Sequence, residues 1–195
     1  NPDNVNSAQF GKLGTFPVDG QIYAQPLYAA GVMIGGSPRN VVYVATMHNT
    51  VFAFDADTGA QLSMRTLGTP VTGRDLSKLK PHTIHGEFGV VSTPVIDAAT
   101  GTLYVARWAA EKEPTYRLFG LDITDLNKDK FKPVLLDGYK MNGTAFDNGR
   151  QIQRAGLVLF TKPSGEKGLI IAFGGGEGEG GAAGWVLVFD TAKLA

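Results

Sequence analysis

The 195-residue chain is 43% hydrophobic and 18% charged, and its 18 basic side chains balance 18 acidic ones. Zero formal net charge gives no pull toward nucleic acid or an anionic membrane, and no apolar run approaches the roughly 18 residues of a spanning helix. The absence of cysteine excludes disulfides, iron–sulfur clusters and thiol catalysis. We therefore expect a chain with a substantial core, without nucleic-acid partners or membrane spans.

Short β-branched or aromatic runs separated by turn residues recur along the chain, and helical periodicity is nearly absent. The runs come in pairs that predict hairpins, at 41–46 with 50–55, 102–107 with 116–122, and 168–173 with 184–190. A further run precedes each pair, at 23–28, 92–97 and 154–159, and an outer run follows twice, at 61–66 and 131–136. The sequence thus predicts units of four short strands.

The repeat length is regular. Asp55, Asp122 and Asp190 close the second strand of each pair and lie 67 and 68 residues apart, and Pro26 and Pro94 lie 68 apart. Repeats of four short strands are the signature of β-propeller blades. The fold class predicted is all-β, an incomplete propeller ring of about three four-stranded blades.

With strands lettered A to D from the propeller axis outward, residues 12–19 are predicted to hold the outer strand of a preceding blade. Blade 1 spans 20–67, blade 2 spans 90–137, and blade 3 spans 153–195 without its outer strand, all within one partial propeller over 1–195. Long inserts at 68–91 and 138–153 lengthen the repeat. Closed propellers have about four to eight blades, so these three are too few for a ring.

A family resemblance is carried by the A-F-D-A-D-T-G motif at 53–59, which resembles the A-x-D-x-x-T-G turn of the pyrroloquinoline-quinone-type propeller repeat. Residues 42–46 and 93–97 also fit that repeat. The resemblance implies a propeller related to quinoprotein alcohol dehydrogenases and to non-catalytic propellers of the bacterial envelope, and hence a secreted or periplasmic location. Two departures are visible: Leu62 and Ser63 replace the family's docking tryptophan, and blade 2 lacks the turn glycine after Asp122.

In an up-and-down blade the D-to-A and B-to-C connections share one face, which we call the loop face. Nearly every long loop and all three histidines fall there, and long loops on a rigid scaffold are where binding sites concentrate. The candidates for a ligand site at the mouth of the central channel are His48, Glu87, Arg107, Trp108 and Arg154. Arg154 and Glu87 begin or precede innermost strands and could pair. Trp108 could stack on a sugar or quinone ring, or could pack between blades.

Two further segments of the loop face are candidates for metal or nucleotide binding. His82, His85 and Glu87 could satisfy zinc, although their loop spacing lacks the helical H-x-x-x-H pattern, and solvated histidines are the alternative. The G-x-G-x-x-G run from Gly176 to Gly181 precedes a strand, whereas a dinucleotide fingerprint needs a helix, which favours a mobile acidic hairpin loop. Glu177 and Glu179 could bind calcium there.

These observations lead to a main hypothesis, a non-catalytic or scaffold-type propeller segment that binds a ligand or protein on its loop face. One alternative is a fragment of a dehydrogenase dependent on pyrroloquinoline quinone (PQQ) and calcium, and another is a hydrolase or lyase on a propeller scaffold. Whether the chain is an enzyme stays open, because fold alone does not decide function. The partner expected is either the remainder of a longer propeller chain or a second copy closing a six-bladed ring.

Overall fold

The computed structural model describes residues 11–12, 14–73, 86–175 and 183–194. Within these ranges the chain folds into antiparallel sheets, with a single 3-10 turn at Thr191–Lys193. In chain order the strands are β1 (Leu27–Ile34), β2 (Ser37–Ala45), β3 (Thr50–Asp55), β4 (Gln61–Thr66), β5 (Val71–Thr72), β6 (Glu87–Phe88), β7 (Val95–Asp97), β8 (Thr102–Ala110), β9 (Pro114–Asp122), β10 (Asp125–Leu135), β11 (Lys140–Met141), β12 (Thr144–Ala145), β13 (Gln151–Ile152), β14 (Val158–Thr161), β15 (Lys167–Gly175) and β16 (Trp185–Asp190).

The sheets confirm the predicted fold class, three blades of a β-propeller that do not close into a ring. Blade 1 is the sheet β1-β2-β3-β4, and blade 2 is the sheet β7-β8-β9-β10. Blade 3 pairs β14 with β15 and β15 with β16, while the short β13 pairs with the far end of β15. Each is an up-and-down antiparallel sheet, so its connections alternate between the two ends of the strands. The D-to-A and B-to-C connections share one end, which is the loop face, as the sequence predicts.

Innermost strands begin at equivalent positions in all three blades. The inner strand of each blade starts with a residue that pairs with an equivalent position of the second strand. The pairs are Leu27 with Tyr43, Val95 with Tyr104, and Val158 with Ile170. In blades 1 and 2 a proline stands directly before the strand, and proline has no N–H to donate to a ladder. The predicted inner strands at 23–28, 92–97 and 154–159 therefore began three or four residues too early.

An aspartate closes the third strand of each blade and organises the turn that follows. One carboxylate oxygen accepts backbone N–H groups two or three residues ahead, and the other receives a cationic side chain. The cations are Arg39 on Asp55 at 3.0 Å, Lys130 on Asp122 at 3.2 Å, and Lys162 on Asp190 at 3.7 Å. The 67- and 68-residue repeat thus marks a turn held by the same chemistry in each blade.

Two apolar layers join the blades. We call the side of a blade that faces the blade before it the upstream face, and the opposite side the downstream face. Tyr43 and Ala53 on the downstream face of blade 1 pack with Leu103 and Leu121 on the upstream face of blade 2. The next layer joins the downstream face of blade 2 to the upstream face of blade 3 through Tyr104, Trp108, Tyr116, Leu118, Leu169, Ile171 and Leu187.

Polar contacts supplement these layers along the innermost strands. The hydroxyl of Thr93 in blade 2 accepts the N–H of Gln25 in blade 1 at 3.0 Å. Its carbonyl accepts the N–H of Leu157 in blade 3 at 2.9 Å. At the outer edge, Arg65 of β4 makes a two-pronged ion pair with Asp129 of β10, at 2.8 and 3.1 Å. Blade 2 is therefore tied to both neighbours at once.

The predicted outer strand at 12–18 is not a strand in the structure at any of its described residues. Residues 14–18 lie on the upstream face of blade 1 instead. There the Phe16 ring stacks on Phe54 at 5.1 Å, and Val18 joins the cluster of Val44 and Phe52. An outer strand forms only by pairing with a third strand, and the described part of this chain offers 14–18 no such edge. We call residues 14–18 the N-terminal strap.

The predicted inserts contain short ladders that the sequence did not indicate. In the first insert β5 pairs with β6, and in the second β11 pairs with β12. The outer strand of blade 2 also begins earlier than the predicted 131–136, since β10 starts at Asp125 and reaches the expected register through three irregular steps. Gly120 faces Phe131 across this bulged pair, where a Cβ would lie 2.1 Å from the ring.

Candidate functional site

A concavity of about 720 Å³ lies on the loop face, between the tip of the β8–β9 hairpin and the insert that follows β10. Its walls are Glu113, Pro114, Thr115, Asp137, Ala145, Phe146, Asp147, Asn148, Gly149 and Arg150. We call it the loop-face cleft. Its position follows from topology, because a B-to-C hairpin and a D-to-A insert meet on the same side of a blade.

Two side chains, the aromatic ring of Phe146 and the amide of Asn148, fix the insert that follows β10 against the blades. Phe146 is buried and packs edge-on against Phe173 and Trp185, at 4.9 and 5.8 Å between ring centroids. The side-chain oxygen of Asn148 accepts the backbone N–H of Tyr116 at 3.0 Å, where β9 enters blade 2. The cleft is therefore held by side chains of the blade 2–blade 3 core rather than by the loops alone.

Carboxylates outnumber cations in the wall of the cleft. Glu113, Asp137 and Asp147 are acidic, and Arg150 is the single basic residue in the wall. Asp147 accepts the N–H of Gly149 at 2.8 Å with one oxygen, and its other oxygen lies 3.6 Å from the Arg150 guanidinium. Both members of that pair are more than half exposed, so solvent screens it. The wall favours cationic or hydrogen-bond-donating ligands.

Arg107 is buried and is not part of the cleft wall. Its guanidinium donates to Glu111 at 2.7 Å and to the carbonyl of Thr115 at 3.1 Å, and it lies 5.5 Å from the centroid of the Phe119 ring. Glu111 also accepts two bonds from Arg117, at 2.8 and 3.0 Å. Bonds from Arg117, joined by those from Arg107, lower the pKa of Glu111 to about 2 despite partial burial. The cluster braces the β8–β9 hairpin.

Trp108 takes the second of its two predicted places, between blades. It is fully buried, stacked on Tyr116 at 5.7 Å and edge-on to Phe88 at 5.2 Å. No face of its indole is open to a ring from solvent.

His48 and Glu87 come together on the loop face, with His48 Nδ1 2.8 Å from Glu87 Oε2. Glu87 lies on β6 and His48 on the β2–β3 turn, so the contact joins the first insert to blade 1. Gly20 packs against both, and a Cβ there would lie 2.8 Å from the Glu87 carboxylate. The hydrogen bond to Glu87 raises the pKa of His48 above its ordinary value, outweighing slight desolvation, with a smaller contribution from the Asp19 charge.

Arg154 is exposed and lies a few residues before β14. Among the described residues, the ion-pair partner of Glu87 is His48 and not Arg154. Of the five channel-mouth candidates, the structure thus brings two into contact. None of the five lines the loop-face cleft.

The metal candidates His82 and His85 lie outside the described residues, as do Glu177 and Glu179. Zinc binding by His82, His85 and Glu87, and calcium binding by the glycine-rich loop, therefore stay predictions. Among the residues that the structure describes, no group of three or more His, Asp or Glu side chains is placed to hold a metal ion.

No protein-family model matches the sequence, and no curated protein does. Among solved structures, the chain is similar to a quinohemoprotein alcohol dehydrogenase from Pseudomonas putida HK5, with a TM-score of 0.43 and 13% identity. The match covers 78% of this chain and 34% of that one, so this chain spans about a third of that structure. Likeness at this level carries no argument about activity, and the fold assignment rests on the sheets themselves.

A quinone ring does not fit against Trp108, the side chain that the sequence offered for stacking on it. Trp108 is enclosed between Phe88 and Tyr116 and cannot reach a quinone without the loss of these core contacts.

The sequence indicates the two loops that form the cleft, the connection between the predicted strands 102–107 and 116–122 and the insert at 138–153, but it does not indicate the residues of the wall. The available signal was the polar run 147–150, which follows an isolated aromatic, Phe146, inside a long insert. What the sequence could not reveal is that Phe146 turns inward and Asn148 reaches the N–H of Tyr116.

In the described ranges, no helix is long and apolar enough to cross a membrane.

Proposed function

We propose that this chain is a non-catalytic binding module, a scaffold-type propeller segment whose loop-face cleft takes a ligand or a segment of another protein. The observation that carries the proposal is a cleft of about 720 Å³ with a wall anchored in the core by Phe146 and Asn148. Binding sites of this size are concave, largely preformed and lined by a few oriented polar groups. The open shape suits an extended chain better than an enclosed small molecule.

The ligand class follows from the wall. Three carboxylates against one guanidinium give the cleft a negative potential, which attracts cationic groups and is screened by salt. Pro114 and the edge of Phe146 supply apolar surface beside these charges. We therefore propose a polypeptide segment bearing lysine or arginine side chains as the occupant.

The test is fluorescence anisotropy with two matched sets of random hexapeptides, one rich in lysine and arginine and the other rich in aspartate and glutamate. The cationic set should bind, and binding should weaken as salt rises. The variant D137N/D147N keeps side-chain shape but removes two negative charges from the cleft, so it should lose most of the binding. Asp57→Asn, an exposed change at the β3–β4 turn on the opposite face, is the matched control and should bind as wild type does.

Equal binding of both peptide sets, or no response to D137N/D147N, would rule out the cleft as the binding site. Native mass spectrometry after incubation with PQQ and Ca²⁺ addresses the dehydrogenase alternative. We expect the protein to retain no quinone, and a retained quinone would overturn the non-catalytic assignment.

Partner and location complete the proposal. Another propeller segment is the partner proposed, supplied either by more of the same polypeptide or by a second copy. A secreted or periplasmic location is proposed on the motif at 53–59, which resembles a repeat found in envelope proteins.

A further inference from the structure

A further cavity lies between blades 2 and 3, at the end of the strands opposite the loop face, which we call the turn face. The cavity encloses about 330 Å³, and we call it the turn-face cavity. Small-molecule sites begin at about this volume. The polar residues of its wall are Asp97, Thr102, Tyr104 and Lys130 of blade 2, with Lys167 and Thr191 of blade 3.

The interface between blades 1 and 2 offers an internal comparison, because the strand registers align the blades residue by residue. The second-strand residue that pairs with the closing aspartate is Val41 in blade 1 and Thr102 in blade 2. Its partner on the innermost strand is Ala29 in blade 1 and Asp97 in blade 2. Two apolar residues on the downstream face of blade 1 thus correspond to two polar residues on that of blade 2.

The following blade shows the same change. The residue after the closing aspartate is Ile123 in blade 2 and Thr191 in blade 3. The residue before the second-strand partner of that aspartate is Gly101 in blade 2 and Lys167 in blade 3. Between blades 1 and 2 the place is filled, with Val41 and Ile123 both buried. Between blades 2 and 3 the equivalent place is polar and holds the cavity.

The two interfaces are built alike on either side of this place. Tyr104 stands where Tyr43 stands, each in the first cross-strand pair of its blade. Four residues after the closing aspartates, Leu126 packs in the core between blades 1 and 2, and Leu194 packs against the core between blades 2 and 3. The cavity therefore follows from the four polar replacements.

Stability alone does not account for the polar set. Asp97 is 2% exposed, and one of its oxygens receives the Lys167 ammonium and the N–H of Ala99. Its other oxygen has no hydrogen-bond partner within the part of the chain that the structure describes. A buried ion pair gains little over apolar packing, and an unpaired buried oxygen is costly. The first interface shows that apolar side chains close the same positions.

The chemistry of the wall defines the class of ligand. Lys167 is paired with Asp97, and Lys130 with Asp122 at 3.2 Å, so the charges balance and favour an uncharged ligand. Each ammonium has three donors, and each ion pair uses one of them. Threonine hydroxyls donate and accept beside these donors, and the ring of Tyr104 adds apolar surface. A matching ligand offers donors and acceptors on neighbouring atoms of an apolar frame.

We propose that the turn-face cavity binds a small uncharged ring compound bearing several hydroxyl groups. Its hydroxyls accept from Lys130 and Lys167 and donate to the threonines. Lys167 is 30% exposed, so its side chain can shift to admit a hydroxyl, which would give the unpaired Asp97 oxygen its missing donor. The site lies at the opposite end of the blades from the loop-face cleft, and the proposal does not rest on peptide binding there.

Saturation-transfer difference NMR on the 195-residue chain tests the proposal with three six-membered rings. Myo-inositol carries a hydroxyl on every carbon, cyclohexanol carries a single one, and cyclohexanecarboxylate carries a negative charge. We expect a signal from myo-inositol alone, because it alone combines neutrality with adjacent donors and acceptors. Its addition should shift the backbone amide resonances of Thr102 and Thr191, which lie on different blades.

Two variants locate the site. Thr191→Ile gives blade 3 the residue that blade 2 carries as Ile123, so it should fill the cavity and abolish myo-inositol binding with an unchanged circular dichroism spectrum. Thr66→Ile, the same change at an exposed position of β4, is the matched control and should bind as wild type does. Lys130→Met removes one ammonium and should weaken binding about tenfold.

Three outcomes would overturn the proposal. The first is no binding of myo-inositol at millimolar concentration. The second is undiminished binding by Thr191→Ile, which would place the ligand elsewhere. The third is tighter binding of cyclohexanecarboxylate than of myo-inositol, which would make the cavity an anion site. None of the substituted residues lines the loop-face cleft, so peptide binding is scored independently.

Discussion

Replacing Tyr116 by phenylalanine isolates one hydroxyl that ties the second insert to blade 2. The side chain is fully buried, and its oxygen donates to the carbonyl of Gln151 at 3.1 Å and accepts the N–H of Gln153 at 3.2 Å. Tyr116→Phe keeps the ring and its packing on Trp108 and removes only that oxygen. A carbonyl and an N–H are then left unpaired in a buried place, which costs about 1–3 kcal/mol.

For a chain of this length each kcal/mol lowers the melting temperature by about 2–4 °C, so Tyr116→Phe should lower Tm by about 2–12 °C. Thermal denaturation followed by far-ultraviolet circular dichroism measures it, at one protein concentration for all variants. Tyr23→Phe, the same change at an exposed tyrosine, should shift stability by less than about 0.5 kcal/mol. Equal Tm values for the two variants would refute the reasoning that the buried hydroxyl holds the insert.

Three further outcomes are expected. Glu111→Gln should cost about 1–2 kcal/mol at pH 7, after allowance for solvent screening, and almost nothing near pH 2. The folded pKa of Glu111 is about 2 against an ordinary 4.5, so its stabilisation is complete above about pH 4.5 and is lost as pH falls through 2. Gly120→Ala should cost about 1–3 kcal/mol in urea denaturation, because the added methyl overlaps the Phe131 ring. Glu87→Gln should lower the pKa of His48 toward 6.5, read from its ring proton resonances in NMR.

Each of these has a contrary outcome. A constant stability gap between wild type and Glu111→Gln from pH 7 to pH 2 would exclude the carboxylate as the stabilising species. Gly184→Ala is the control for the strand glycine, since a Cβ there meets its nearest atom at an ordinary 3.5 Å. Equal costs at the two glycines would mean that the ring moves aside freely. An unchanged histidine titration would show that the two side chains do not pair in solution.

The hairpin strands were the part of the fold that the sequence predicted well. Alternating apolar runs with β-branched residues, closed by Asp55, Asp122 or Asp190, place β3, β9 and β16 almost to the residue. The reason is local: the strand pattern and the aspartate turn are both written in adjacent residues.

The features that sequence reasoning missed depend on partners remote in the chain. The strap at 14–18 has strand-like composition. Whether it forms a strand depends on a free edge of another strand, and the residues of the strap carry no information about that edge. In the same way, the burial of Trp108 is decided by Phe88, from an insert, and by Tyr116, from the next strand. The polar wall of the loop-face cleft was overlooked because its loops carry no spacing that signals a ligand.

The position of Thr93 sets an order of opening for the described parts of the three blades. Its hydroxyl and carbonyl hold blades 1 and 3 to blade 2, and among the described residues blades 1 and 3 each pack on blade 2 alone. Such an array behaves as a line of nearest-neighbour units, in which end units fray first and the central one is protected by two interfaces. Amide protons of β8 and β9 should therefore exchange with solvent more slowly than those of the described strands of blades 1 and 3.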